Sequence, residues 1–287
     1  MSNAGKSRIA VVFDFDDTLA PDSTSQLLAS LGVDVQRFWL ECVAPLIEAG
    51  WDPVPAYLYR ILQWSQEGRL SEPITRDVLK RAGASLELYP GVDTLFQRLR
   101  DYADACTEGI QLEFYVISSG LQEVIDSSCI RAQLTQVWAC DFHHEAETGP
   151  AVYPRNIVSF TDKTRYLFQI EKGLIAPRAE SDPFAVNRKL ADADLRIPFE
   201  HMLYVGDGYT DVPCFSLVSR RGGVALAVVD PDRSERWGRA WGFIEQGRAM
   251  NLSPTDYRDG GHTEMILKMA LQSVCERIAL ESHTYRR

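Results

Sequence analysis

Apolar residues in this chain fall into short unbroken runs, separated by long stretches with helical spacing. Ile9-Ala10-Val11-Val12-Phe13 is the first run, Leu112 to Ile117 the second, and Met202-Leu203-Tyr204-Val205 the third. A short continuous run without alternation predicts a strand covered on both faces, as in a parallel sheet. Residues 224–229 predict a further core strand of the same kind. Residues 138–142 and 151–153 flank Glu147-Thr148-Gly149 and predict a hairpin. A hundred positions separate Thr18 from Ser118, far more than one crossover helix needs. The first part of that interval reads as helices over 24–31, 35–49, 54–68 and 71–82, punctuated by Gly32, Pro45, Gly50, Pro53 and Gly68. After Tyr89-Pro90-Gly91 come helices over 92–103 and, past Ser118, over roughly 121–132. A further helix covers residues 263–282, with Met265, Ile266, Met269, Val274 and Ile278 at helical spacing. The fold class is therefore α/β: a parallel sheet core with helices on both faces, interrupted by a helical insert after the first strand.

The chemistry sits where these runs end. The first strand leads into Asp14-Phe15-Asp16-Asp17-Thr18, at the carboxyl end where open α/β sheets bind ligands. Taken alone, Asp-x-Asp also reads as a solvated acidic turn. However, the second run ends at Ser118-Ser119-Gly120, the third at Gly206-Asp207-Gly208-Tyr209-Thr210-Asp211, and Lys163 opens a helical stretch between them. An aspartate pair, a hydroxyl, an ammonium and a second aspartate pair form the inventory that phosphoryl transfer needs. Paired carboxylates at one strand end ask for a cation such as Mg²⁺, which prefers carboxylate oxygens and commonly brings phosphate with it.

In order and spacing, Asp14-Phe15-Asp16-Asp17-Thr18, Ser118, Lys163 and Gly206–Asp211 resemble the four motifs of the haloacid dehalogenase-like (HAD) hydrolases, most closely the phosphoserine-phosphatase-like branch. The resemblance implies a Rossmann-like core over 1–21 and 88–287, with a small helical cap domain over 22–87. It implies a Mg²⁺-dependent phosphatase in which Asp14 is the nucleophile and Asp16 the general acid and base. Asp14, the Asp16 backbone carbonyl and Asp207 would hold the metal. Asp211 would support it through water or pair with Lys163. Ser118, with Ser119 and Gly120 at a helix start, would cradle the phosphate, and Lys163 would neutralise its oxygens. Spacing alone does not choose between Ser118 and Ser119; the family pattern favours Ser118. Thr18 would cap the following segment or orient Asp16, and Asp17 reads as a solvated or capping carboxylate.

Asp16 itself argues against dehalogenation, because halide departs without a proton whereas an alkoxide needs one. Where phosphoserine phosphatases carry a glutamate that reads the substrate amine, this chain has Ser23 beside Asp22, so the leaving group stays open. A mutase or phosphotransferase would use the same residues. A receiver-like regulatory module shares the acidic pair, hydroxyl and lysine, yet has no room for the helical insert.

Composition narrows the partners. The chain has 287 residues, 45% hydrophobic and 24% charged, with a net charge of −10. That acidity argues against nucleic acid as a partner. A small phosphate ester, bound by a monomer or homodimer, is the expectation. No apolar stretch approaches the roughly 20 residues that span a bilayer. The run at 9–13 is too short for a signal-peptide core. The six cysteines include no C-x-x-C pair, which predicts buried free thiols in the cytoplasm. Gly5-Lys6-Ser7 precedes a strand instead of following one, so it does not read as a P-loop. Trp39, Trp51, Tyr57, Tyr59 and Trp64 predict the core of the helical insert. His143 and His144, adjacent on a strand, point to opposite faces and do not share a metal. Residues 176–198, rich in Pro, Asp, Arg and Ala, lengthen the interval between Lys163 and Asp207 and predict a loop or surface excursion.

Overall fold

A computed structural model describes residues 7–175 and 182–283 of the chain. Gly5 and Lys6, and residues 176–181 of the 176–198 segment, lie outside the described residues. Residues 182–198 carry two single-turn 3₁₀ helices, Ala185–Asn187 and Asp192–Asp194, and no strand.

Among the described residues, seven strands form one sheet in the order β4-β3-β2-β1-β5-β6-β7. They are β1 (Arg8–Phe13), β2 (Gln111–Leu121), β3 (Gln136–His144), β4 (Ala151–Asn156), β5 (Met202–Gly206), β6 (Val224–Val229) and β7 (Asn251–Pro254). All neighbours are parallel except β3 and β4, the expected hairpin. Alternation along β1 builds two cores at once. Ala10 and Val12 face one apolar cluster, while Ile9, Val11 and Phe13 face the other. The helices Val92–Cys106 and His262–His283 cover the second face, and Asp162–Lys172 and Val212–Arg220 cover the first.

The register brings the strand ends level. Phe13 pairs with Val116 on β2 and with Val205 on β5, so the residues that follow each meet in one place. The Asp14 N–H donates to the Val205 carbonyl at 2.8 Å, which extends the ladder one step into the loop.

Between β1 and β2 lie the helix Ser23–Ser30, a helical run over 35–48 whose middle, Phe38–Val43, is a π-helix, and the helices Pro53–Gln66 and Arg76–Ala84. The last starts five residues later than the 71–82 expectation. Pro73 disfavours helical backbone in the residue before it, and the Thr75 hydroxyl accepts from the Val78 N–H as the N-cap. Of the aromatics expected inside this insert, Tyr57 and Trp64 are buried and Trp39 half-buried. Trp51 and Tyr59 instead lie exposed against each other. The buried apolar residues of these helices join the cluster of Tyr115, Ile117 and Trp138 on the sheet.

Two further expectations change. Cys140, Cys214 and Cys275 are buried free thiols and Cys42 is half-buried, but Cys106 and Cys129 are exposed. The helix expected over 121–132 is only Gln122–Asp126, because the Ser128 hydroxyl donates to the Ile125 carbonyl and the chain turns there.

Candidate active site

Asp14 leaves β1 almost fully buried. Its Oδ1 accepts the Phe15 N–H at 2.7 Å, and its Oδ2 lies 2.9 Å from Lys163 Nζ. Lys163, in the first turn of the helix Asp162–Lys172, is itself wholly buried. An ammonium taken out of water is stable only when paired. Here it is paired twice: Nζ lies 2.7 Å from Asp211 Oδ1 and also donates to Thr210 Oγ1 at 3.3 Å. The Tyr204 hydroxyl, on β5, donates to the same Asp211 oxygen at 2.7 Å. Asp211 Oδ2 accepts the Gly208 N–H at 3.1 Å. Asp211 thus pairs directly with Lys163, which leaves its place beside the other two carboxylates unchanged.

Burial sets the electrostatics. Desolvation, helped by the Asp211 charge and opposed by Lys163, pushes the Asp14 carboxyl up to about 7. Burial alone would pull the Lys163 ammonium down, but Asp14 and Asp211 outweigh it and hold the group above its ordinary range. Oxygen atoms of Asp14, Asp207 and Asp211 lie within 4.8 Å of one another. Three carboxylates converging beside one ammonium carry a surplus of negative charge. An all-oxygen donor set of this kind fits Mg²⁺.

Gly206 is required by this packing, because a Cβ there would sit 2.5 Å from the Asp211 carboxylate. Gly208 differs: its backbone is extended and the space around its Cα is open.

Asp16 occupies a different environment. Its Oδ1 accepts the Ser23 N–H at 2.7 Å, at the start of the helix Ser23–Ser30. Desolvation, with the nearby Asp22 carboxylate, raises its carboxyl well above the ordinary range. A Cβ on Gly120 would lie 2.4 Å from Asp16 Oδ2, 3.2 Å from Ser118 Oγ and 3.3 Å from Ser23 Oγ. Only glycine leaves that point free. Ser118 to Gly120 do not open a helix, as expected, but lie inside β2, where the register with β3 slips between Ile117 and Leu121. Ser118 Oγ accepts the Gly120 N–H at 2.9 Å. Ser119 turns its carbonyl toward the insert, where it accepts from the Tyr57 hydroxyl.

Thr18 is buried, and its carbonyl accepts from the Tyr257 hydroxyl at 2.8 Å. Asp17 takes a left-handed backbone (φ 55°) and pairs with Arg233 at 3.2 Å, so it is not a free solvated carboxylate. His144 is buried with Nδ1 against the Gly149 carbonyl at 2.9 Å, and His143 is exposed; both lie on the hairpin strand β3. The predicted residues thus come together at the ends of β1, β2 and β5. Tyr204, Tyr57, Ser23 and Arg233 complete the surroundings and were not singled out as site residues from sequence. Tyr204 stands two positions before Gly206, in the strand that leads to the motif, and that position was its only available signal.

No family model matches the chain. A protein from Borreliella burgdorferi, described only as uncharacterized, is 28% identical over 238 residues, covering 76% of this chain and 80% of that one. Among solved structures, a HAD family hydrolase from Salmonella enterica serovar Typhi superposes with a TM-score of 0.57 at 16% identity, covering 91% of this chain and 70% of its own. A phosphoserine phosphatase captured as a phospho-aspartyl intermediate analogue gives 0.53 at 15%, covering 92% and 99%. The fold is that of the HAD-like hydrolases. A probable phosphoserine phosphatase from Vibrio cholerae, at 0.56 and 12% identity over 95% of this chain and 67% of its own, shares the same HAD-like architecture.

Proposed function

We propose that this HAD-like chain is a Mg²⁺-dependent phosphomonoester hydrolase acting on a small phosphorylated metabolite. The observation that carries the proposal is the buried Asp14–Lys163–Asp211 cluster at the end of β1, with an Asp207 oxygen within 4.8 Å. Asp14, Asp207, Asp211 and the Asp16 carbonyl would hold the ion. Bound there, Mg²⁺ supplies the positive charge that lets an anionic nucleophile meet an anionic phosphate.

The remaining chemistry belongs to the chain. Asp14 Oδ attacks phosphorus, the ester P–O bond breaks, and its electron pair goes to the leaving oxygen. Asp16, whose carboxyl is raised by burial, gives that oxygen its proton. The resulting aspartyl phosphate is then attacked by water, whose proton returns to Asp16, releasing phosphate and restoring Asp14. Lys163 stabilises charge on the phosphoryl oxygens while holding Asp14 in place. Ser118, with Ser119 and Gly120, borders the phosphate, and Thr18 supports the loop between Asp16 and Ser23. Residues 22–87 act as the cap that chooses the leaving group, over a core made of 1–21 and 88–287. No helix among the described residues is long and apolar enough to cross a membrane. We take the chain to be a cytoplasmic enzyme that works without nucleic acid, a reading that rests on its net charge of −10.

The test is phosphate release from a panel of small phosphomonoesters and p-nitrophenyl phosphate, with Mg²⁺ or with EDTA, for the wild type and Asp14→Asn. The expected result is Mg²⁺-dependent release that the variant lowers by about 10⁴-fold or more while keeping the fold. Retained turnover in Asp14→Asn would sink the covalent mechanism, and indifference to EDTA would remove the metal.

A further inference from the structure

A groove of about 430 Å³ lies outside the cluster just described, walled by the helix Asp162–Lys172, β3, β4 and the helix Gln122–Asp126. Three guanidiniums border it. Arg131 is paired with Asp126 at 2.6 Å and Arg155 with Asp141, so these four charges cancel. Arg165 has no carboxylate partner among the described residues. Its guanidinium lies 4.6 Å from the centre of the Tyr166 ring and donates to the Tyr166 hydroxyl at 2.6 Å. An exposed arginine is thus held in one place with spare donors, and the groove is locally positive in a chain of net charge −10. Guanidinium donors in that state suit phosphate.

One turn along the same helix, Gln169 also lines the groove. It is 7% exposed, and its Oε1 is buried with no hydrogen-bond partner among the described residues. Buried polar atoms nearly always have a partner, and an orphan of this kind calls for one. A neighbouring amide does not compete for the role of ligand, because Asn156 Nδ2 is already committed to the Ala139 carbonyl at 2.9 Å.

We propose that this groove binds a small phosphorylated metabolite that carries a hydroxyl, with its phosphate on Arg165 and its hydroxyl donating to Gln169 Oε1. The site is separate from the hydrolytic one and does not rest on that reading. The two share the helix Asp162–Lys172, which turns Lys163 inward to Asp14 and Arg165 outward to the groove.

The test is isothermal titration of the full chain with glycerol 3-phosphate in EDTA, where the uncompensated active-site carboxylates repel phosphate. Arg165 is exposed, so Arg165→Ala keeps the fold; Gln169→Leu is checked alongside it by circular dichroism. The wild type is expected to bind, and each substitution to weaken binding by about tenfold. Absence of binding to the wild type, or unchanged affinity in Arg165→Ala, would overturn the site. Inorganic phosphate binding as tightly as glycerol 3-phosphate would overturn the part given to Gln169. Hydrolysis of the same ester in Mg²⁺ is a separate readout, so the two readings fail independently.

Discussion

The two aspartates of the first motif stand two residues apart and live in opposite surroundings. Around Asp14 the polar partners are explicit: Lys163, the Phe15 N–H and, through Lys163, Asp211 and Tyr204, supplied by strand ends and by helices packed on the sheet. Around Asp16 the partners come from the loop and the insert, and much is left open. Among the described residues, the buried hydroxyls of Thr18 and Ser119 have no hydrogen-bond partner. A buried hydroxyl left unmade costs about 1–3 kcal/mol. Two together are hard to explain as packing alone and easy to explain as places for substrate or water. The difference teaches where each task is located. On the proposed reading, the nucleophile is held by strand ends that cannot move without breaking the sheet. The proton donor, and with it the selection of the leaving group, would lie on the side built from loop and insert.

The sharpest way to break the comparison is Gly120→Ala. Its Cβ would be driven 2.4 Å from Asp16 Oδ2 and must displace that carboxylate, and none of the three atoms nearest to it belongs to the Asp14 cluster. Turnover should fall by about 10²-fold, the usual cost of a displacement near 1 Å in a reacting group. Mg²⁺ binding, read by calorimetry, should persist because the cluster of Asp14, Asp207 and Asp211 is intact. Loss of metal binding together with activity would show that the two aspartates are not separable.

That contrast also explains what was legible in the sequence. The Asp14 side was readable because continuous apolar runs fix strands, strands fix register, and register brings Asp14, Ser118 and Gly206 level. Lys163 was readable only from its place in the motif series, since periodicity says nothing of a buried ammonium. The Asp16 side was harder to read. The bulge that keeps Ser118 to Gly120 inside β2 depends on pairing with β3, a long-range contact that local propensity does not register. The late start at Arg76 was readable in principle from Pro73 and Thr75. The exposure of Trp51 and Tyr59 was not, because aromatic content predicts burial on average and a mutual surface contact satisfies them instead.

A second test addresses the Asp14 side through pH. In EDTA the Asp14 carboxyl titrates near 7 in the folded chain and near its ordinary value of 3.8 in the unfolded one. Below pH 4 both states hold the proton and stability is unaffected. As pH rises from 4 to 7 the unfolded chain releases the proton while the folded chain retains it, so stability falls, and it levels off above 7. Asp16, also raised, adds to the fall in the same direction. The rise of the Asp14 carboxyl from 3.8 to about 7 corresponds to a loss on the order of 4 kcal/mol, read as a fall in Tm. Saturating Mg²⁺ should flatten the profile by favouring the ionised carboxylate, and Asp14→Asn should reduce the slope without metal. A slope unchanged in Asp14→Asn would assign it to other groups.

The smallest expected effect probes the other side, at the contact between insert and sheet. The Tyr57 hydroxyl, from the helix Pro53–Gln66, donates to the Ser119 carbonyl and is the direct polar link from that helix to the Ser118–Gly120 segment. Tyr57→Phe keeps the ring, its edge contact with Trp39 and its burial, and removes that bond together with a weak 4.0 Å contact to Cys140 Sγ. Stability should fall by about 0.5–1.5 kcal/mol, the net worth of one hydrogen bond. If leaving-group selection lies with the insert, KM for esters with polar leaving groups should rise a few-fold, while kcat for p-nitrophenyl phosphate, whose leaving group needs little help, stays level. An equal fall in kcat on every ester would mean that Tyr57 acts through the Ser118 segment on the phosphate itself, and that the boundary between chemistry and selection runs through β2 and not beside it.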